Sequence, residues 1–425
     1  MNQPKKKKRQ MKSNGLIAAC IVFSSFISAQ QMVDYDKYKF INQAKNTFQF
    51  SGDSAAFMKF YQRLDTLIFA GKGQINIVHF GGSHVQAGTL SNRMRHNFLH
   101  LSPDLKHDRG FFFPYKLAGT NNPPDYKVNY DGFWDGCRSA LPAADCFWGV
   151  SGINASTIDT NAAFSITAFD IDTAKYDFKK VRVFYVMHDS SLTLVPTDDH
   201  KLLQTRYDST MSFVEFTFAE PYTTLNLVLN QKDTSQRGFT LQGIQYVSDM
   251  PGLTYHAIGV NGAATYSYLR CANFTQQLQS LAPDLVIFGI GINDAHRPTY
   301  EFSQSVFEQN YDSLVARIRL VNPNAVFIFM TNNDSYYNNK PNHNIYKVQK
   351  AMRNLSARYQ SPMWDFFEIM GGLNSIRTWE MNGLAKKDKI HLTSEGYYLN
   401  ADLLFEAFRK SYGNYLQNQA NNSKP

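Results

Sequence analysis

The chain has 425 residues, 43% of them hydrophobic and 14% aromatic; single cores stop growing at roughly 250 to 300 residues, so two compact units are expected. The formal net charge of +8 looks like the footprint of a nucleic-acid binder, but Lys5, Lys6, Lys7, Lys8, Arg9 and Lys12 all lie before residue 31, in a stretch without acids. The remainder is nearly neutral, which argues against nucleic acid as a partner.

The basic run is followed by the apolar stretch Leu16 to Ile27 and by Ser28-Ala29. This is the order of a secretory signal peptide, and the stretch is too short to span a bilayer comfortably. A signal peptide over 1–30, cleaved near Ala29 or Gln30, predicts an exported protein, periplasmic or extracellular, with no stable membrane span. Ile17-Ala18-Ala19-Cys20 offers a lipoprotein alternative, disfavoured because Lys12 stands close and the apolar run continues past the cysteine. Of the remaining cysteines, Cys137 and Cys146 are nine apart in a glycine-rich loop and could close a disulfide in an oxidising compartment; three unpaired thiols are the alternative. No spacing suggests a zinc site, and neither metal nor cofactor is expected.

From Val33 to Ala70 the apolar spacing is helical. Ile75 to Phe80 is then a short apolar strand entering Gly81-Gly82-Ser83-His84, with helical spacing resuming from Thr89 to Leu99. Between about Asp108 and Ser248 helices vanish, and alternating segments follow at Val181–Val186, Ser191–Val195, Phe213–Phe218, Leu225–Leu229 and Phe239–Ile244. Short strands at turn-punctuated spacing argue a β-sandwich. After Pro251, strands at Thr254–Val260, Leu285–Gly289, Ala325–Met330 and Met363–Phe367 alternate with helices at Ala264–Leu281, Phe302–Val321, Asn344–Tyr359 and Ser394–Tyr412. That alternation implies a parallel sheet covered on both faces. The expected class is therefore α/β, with the domain in two parts, 31–107 and 249–412, a β-sandwich inserted over 108–248 and a disordered tail over 413–425.

Ligands of open parallel sheets sit beyond the carboxyl ends of the strands. Four turns there carry chemistry: Gly81-Gly82-Ser83-His84, Gly259-Val260-Asn261-Gly262, Gly289-Ile290-Gly291-Ile292-Asn293-Asp294 and Asp388-Lys389-Ile390-His391. Ser83 suits a nucleophile in a strand-to-helix turn, His391 its general base and Asp388 the group that orients the imidazole. Gly262 and Asn293, with the Ser83 amide, can form an oxyanion hole. Each turn alone reads as a cap or a close-packing site; four of them at one sheet edge, in this order, read as one acyl-transfer site.

The order Ser, Gly, Asn, then Asp-x-x-His resembles the SGNH (GDSL-type) hydrolase superfamily, with a flavodoxin-like sheet. The resemblance covers roughly 74–100 and 251–411 and implies Ser83, Asp388 and His391 as the triad and Ser83, Gly262 and Asn293 as the oxyanion hole. Two features depart from it. Gly82 stands where an aspartate usually precedes the serine, and 179 residues separate Ser83 from Gly262. Gly149-Val150-Ser151-Gly152 imitates the glycine block, but Gly262 is preferred because it lies between a strand and a helix. An α/β-hydrolase elbow needs glycine two residues after the serine, where Val85 stands.

An SGNH domain interrupted by a carbohydrate-module-like sandwich resembles exported peptidoglycan O-acetylesterases. The resemblance implies a serine esterase acting on an O-acetylated polysaccharide, expected to be peptidoglycan. Other glycan esters or acyl lipids are the alternative, with an O-acetyltransferase or a non-catalytic glycan-binding protein ranked below. His84, Gln86, Gly152 and Asp294 are candidates to contact substrate. Tyr115, Phe133, Trp134, Phe147 and Trp148 could be sugar platforms or sandwich core. The oligomeric state is not legible.

Overall fold

The computed structural model describes residues 32–102, 105, 107–169, 176–197 and 201–422; the segment 1–30, expected to be a signal peptide, lies outside the described residues. Six parallel strands form the central sheet, in the order Met363–Trp364, Val326–Met330, Leu285–Gly289, Gln74–Gly81, Gly252–Gly259 and His107–Asp108. Side chains alternate across a strand, and here the alternation divides two cores. Val78, Phe80, Val286, Phe288, Phe327 and Phe329 join one apolar cluster with the helices Phe274–Leu281, Gln304–Val321 and Asn344–Tyr359. Ile75, Ile77, Leu285, Ile287, Val326 and Ile328 join the other, with Ala55–Ala70, Thr89–Leu99 and Ser394–Asn422.

Two antiparallel sheets occupy the stretch between the first and second long strands of the parallel sheet. One runs in the order Leu202–Asp208, Phe213–Tyr222, Phe178–Tyr185, Phe239–Val247, Ile153–Thr157, Asp135–Arg138, with Phe111–Phe112 pairing beside Phe239–Val247. The other runs Tyr126–Asp131, Ala163–Ala168, Thr224–Asn230, Thr193–Pro196. Phe112 and Tyr126, one from each sheet, meet at 5.0 Å between ring centroids, and the buried Arg109 guanidinium lies over both rings while pairing with Asp125 at 2.7 Å. The sandwich core belongs to the same apolar cluster as one face of the parallel sheet. The insertion is thus packed onto the α/β domain rather than tethered to it.

Several elements differ from the sequence reading. The tail expected to be disordered continues the last helix to Asn422, because Tyr415, Leu416 and Ala420 are buried and the Tyr412 and Tyr415 hydroxyls donate to Asp65. The Val33–Ala70 stretch holds only a 3₁₀ turn, Gln43–Lys45, and the helix Ala55–Ala70. The Met363–Phe367 strand stops at Trp364, where Asp365 caps a short helix from Phe366. The helix expected over Ala264–Leu281 is broken into Thr265–Leu269 and Phe274–Leu281. Strands at Tyr126–Asp131, Ile153–Thr157, Ala163–Ala168 and Leu202–Asp208 were not anticipated; the last is largely exposed and has no buried face to set a pattern.

Candidate active site

Strand Gln74–Gly81 ends at the turn that starts the short helix Ser83–Gln86. The turn fits only because Gly259, on the neighbouring strand, lacks a side chain: a Cβ there would lie 2.3 Å from the Gln86 nitrogen and 2.8 Å from the Gly82 oxygen. Ser83 therefore emerges beside the Val260–Ala263 turn. Its Oγ lies 2.9 Å from His391 Nε2, and His391 Nδ1 lies 2.8 Å from Asp388 Oδ2. The other Asp388 oxygen accepts the backbone N–H groups of Ile390 and His391, both at 2.9 Å. Burial raises the Asp388 pKa, but the His391 amide and imidazole and the Ile390 amide outweigh it and hold the carboxyl below its ordinary value. The loop closes on itself through Lys386 N–H to His391 O at 2.8 Å, with Lys389 at φ 55°. Serine, histidine and aspartate stand in one hydrogen-bonded row, with Nδ1–H directed at the carboxylate and Nε2 free to take the serine proton.

The oxyanion candidates surround the same turn. Gly262 adopts φ +84°, a region open to glycine without strain. Among the described residues, neither its N–H nor that of Ser83 has an acceptor. Asn293 donates one Nδ2 hydrogen to Ala263 O at 2.9 Å, which leaves its second for another acceptor. A Cβ on Gly82 would sit 3.1 Å from that nitrogen, so the departure at Gly82 keeps the space beside Asn293 open. Three donors thus border the serine, as stabilisation of a tetrahedral oxyanion requires.

The remaining sequence candidates are placed differently. Gln86 is buried and fully engaged, accepting the Asn261 N–H at 2.6 Å and donating to Thr120 and Asn121, so it supports the site instead of lining it. Asp294 is buried too. Its carboxylate accepts the Thr265 N–H and hydroxyl, which ties the Asn293 turn to the helix after Gly262; burial raises its pKa to about 6 against these hydrogen bonds. Gly152 is buried, with its N–H given to Gly149 O and its carbonyl taken by Ser139, so it packs under the Val260 turn and offers a substrate nothing. His84 is half-buried at the site, its ring 5.4 Å from that of His391. Of the five aromatic residues, Tyr115, Trp134 and Trp148 are core, while Phe133 and Phe147 are exposed.

One residue at the site was missed. Asn333 donates to Ile390 O at 3.0 Å and Asp334 O at 2.8 Å, so its Oδ1 is the acceptor that faces His84 Nε2 at 3.1 Å. This contact puts the His84 proton on Nε2. Burial, the neighbouring His391 and then the opposing hydrogen bonds leave the His84 pKa lowered to about 4, so no second positive charge competes with a His391 imidazolium. The signal was present in the sequence: Asn333 follows strand Val326–Met330, a strand end that was passed over.

The insertion reaches the site through a loop closed by the disulfide Cys137–Cys146. Arg270, just after helix Thr265–Leu269, donates to the carbonyls of Ser139 and Leu141, each at 2.8 Å, and to that of Ala144, and stacks over Trp148 at 4.7 Å. The clamp brings Ala140 over the oxyanion turn: a Cβ at Gly262 would lie 3.6 Å from Ala140 Cβ. Among the described residues no group of three His, Cys, Asp or Glu is placed to hold a metal ion, and no helix is long and apolar enough to cross a membrane.

The GDSL-like Lipase/Acylhydrolase family matches residues 234–399, a span that includes Gly262, Asn293, Asp388 and His391 but stops short of Ser83, which the insertion separates from them. No curated protein matches the sequence. Among solved structures, a peptidoglycan O-acetylesterase is similar over 86% of this chain and 99% of its own, at 20% identity and a TM-score of 0.68; it shares the fold, sandwich included. An acetylxylan esterase from Geobacillus stearothermophilus, at 19% identity, is similar over 37% of this chain and 73% of its own, with a TM-score of 0.29. A GDSL-like lipase from Bacteroides thetaiotaomicron, at 20% identity, is similar over 37% and 76%, with the same score. The family match, with a serine–histidine–aspartate row assembled from both parts of the domain, supports reading this chain as a carboxylic ester hydrolase that resembles the SGNH superfamily.

Proposed function

We propose that the protein is an exported serine esterase that removes O-acetyl groups from a polysaccharide, and that O-acetylated peptidoglycan is its substrate. The observation that carries the reaction is the Ser83–His391–Asp388 row facing unpaired N–H donors. His391 Nε2 takes the Ser83 proton as Oγ attacks the acetyl carbonyl, and the oxyanion forms against Ser83 N–H, Gly262 N–H and Asn293 Nδ2. The imidazolium, held by Asp388, returns the proton to the sugar oxygen, which leaves as an alcohol. Water, deprotonated by His391, then attacks the acetyl-serine; acetate departs and Ser83 regains its proton.

The choice of substrate is supported by the insertion, which borders the oxyanion turn, and by the likeness of the whole arrangement to a peptidoglycan O-acetylesterase. Export is supported by the Cys137–Cys146 disulfide, a bond suited to oxidising compartments. The test is acetate release from O-acetylated peptidoglycan, acetylated xylan and a long-chain ester, side by side. Acetate from peptidoglycan with the wild type and none with Ser83→Ala is expected. Preference for xylan or the long-chain ester would overturn the substrate, and activity in Ser83→Ala the mechanism.

A further inference from the structure

We propose that Asn121, a residue of the inserted sandwich far from the triad in sequence, is a positioning residue of the oxyanion hole. The inference rests on the esterase reading above, with Gly262 N–H as an oxyanion donor. Gly262 is preceded by Asn261, and Asn261 is held at two points. Its backbone N–H donates to Gln86 Oε1 at 2.6 Å. Its side-chain Nδ2 donates to Asn121 Oδ1 at 2.6 Å and to Thr120 Oγ1 at 3.2 Å.

The orientation of these amides follows from the backbone. An N–H can only donate, so the end of Gln86 that meets the Asn261 amide is the oxygen. The other end, Nε2, then donates to Asn121 O at 3.1 Å, Asn121 Oδ1 at 3.3 Å and Thr120 Oγ1 at 3.2 Å. Asn121 Oδ1 thus accepts from both residues that fix the turn: from Asn261 directly, and from Gln86, which holds the Asn261 backbone. Gln86 itself ends the helix that Ser83 begins. Asn121 Oδ1, with Thr120 Oγ1 beside it, therefore ties the oxyanion turn to the helix that carries the nucleophile.

A hole built this way reports its assembly in turnover. Displacing a donor by a fraction of an ångström weakens an interaction made chiefly with the transition state, so kcat falls while ground-state binding of a small ester is little changed. Asn121 is exposed, so its replacement leaves the cores intact. Its role requires an acceptor and not an amide: Asn121→Asp keeps the acceptor, whereas Asn121→Leu removes it.

The experiment measures kcat and KM of the full chain and these variants on p-nitrophenyl acetate, together with the rate of Ser83 labelling by a fluorophosphonate, whose phosphoryl oxygen occupies the same hole. Asn121→Leu should lower kcat and slow labelling by about ten- to a hundredfold, with KM within about threefold, and Asn121→Asp should recover most of the loss. Wild-type kcat in Asn121→Leu, or an equal loss in both variants, overturns the role of Asn121. Wild-type activity in Ser83→Ala overturns the esterase reading beneath it, a separate result.

Discussion

Ser83 Oγ and His391 Nε2 stand 2.9 Å apart although 308 residues separate them in the chain. The nucleophile leaves the end of the central strand and the base comes from the loop before the last helix, so neither is useful until the parallel sheet has formed around the insertion. Ser83→Ala removes a half-buried hydroxyl that meets His391 Nε2 at 2.9 Å and, more distantly, His84 Nδ1 at 3.5 Å. Its thermal midpoint should match the wild type, while esterase turnover falls by at least about 10⁴-fold. Loss of the folding transition along with activity would show that Ser83 is structural.

Asp388 differs from Ser83 in doing two jobs. One oxygen orients His391 and the other gathers the Ile390 and His391 amides. In Asp388→Asn the side-chain oxygen can satisfy either the amides or the imidazole, and the amide group presents a donor where the ring N–H also donates. The wrong tautomer should result, with kcat down by about 10³–10⁴-fold and KM little changed. Because the carboxyl is held below its ordinary pKa, Asp388 stays ionised through the neutral range and orients the imidazole as a carboxylate. An Asp388→Asn variant that keeps the wild-type kcat would contradict this role.

The candidate triad and oxyanion residues stood out in the sequence because Ser83, Gly262 and Asn293 lie in glycine-rich turns after strands, whose ends converge in a parallel sheet, and because Asp388 and His391 stand three apart in the loop before the last helix. What the sequence hid was contact made across the insertion boundary. Gln86 and Asp294 stand beside catalytic residues and look like pocket residues, yet burial and complete hydrogen bonding make them braces. Nothing local in Thr120-Asn121 or Arg270 announces a partner, since the partners of Thr120 and Asn121 at the site lie 34 to 141 residues away and those of Arg270 more than a hundred. The sandwich was legible in its central strands, where one face is buried, and not at edges such as Leu202–Asp208, where solvent covers both faces and no alternation is selected. The helical tail past Gly413 was missed because its polar sequence conceals a narrow buried stripe of Tyr415, Leu416 and Ala420.

Asp294 gives the fold a measurable pH signature. Its folded pKa of about 6, against an ordinary value of 3.8, means the folded state binds a proton that the unfolded chain has released. The stability linked to that proton is fully present below the unfolded pKa and is lost as pH rises through about 6. The substitution Asp294→Asn would keep an acceptor for Thr265 without the titration. The difference in unfolding free energy between this variant and the wild type should therefore shift in favour of the variant between about pH 4 and 7, by the uptake of about one proton. Parallel stability curves for the two proteins over that range would show that Asp294 does not titrate there.

The Cys137–Cys146 loop and Arg270 offer two handles on the same wall of the site. A disulfide closing a loop this short contributes roughly 2–3 kcal/mol in the chain-entropy account, and Arg270 satisfies three carbonyls within or beside it. Both constraints act on the segment that holds Ala140 over Gly262. Among the described residues the remaining thiol, Cys271, is buried, and burial raises its pKa to about 12 despite nearby arginines, so it stays protonated and does not exchange with the bridge. Reduction alone, or Arg270→Met alone, should lower kcat/KM by several-fold. Because either change frees the same loop, the two together should cost little more than the larger one, a coupling that a thermodynamic cycle resolves. Reduced and oxidised protein should therefore differ clearly in the wild type and only slightly in Arg270→Met. Additive losses across the cycle would mean that the arginine and the disulfide restrain different parts of the molecule.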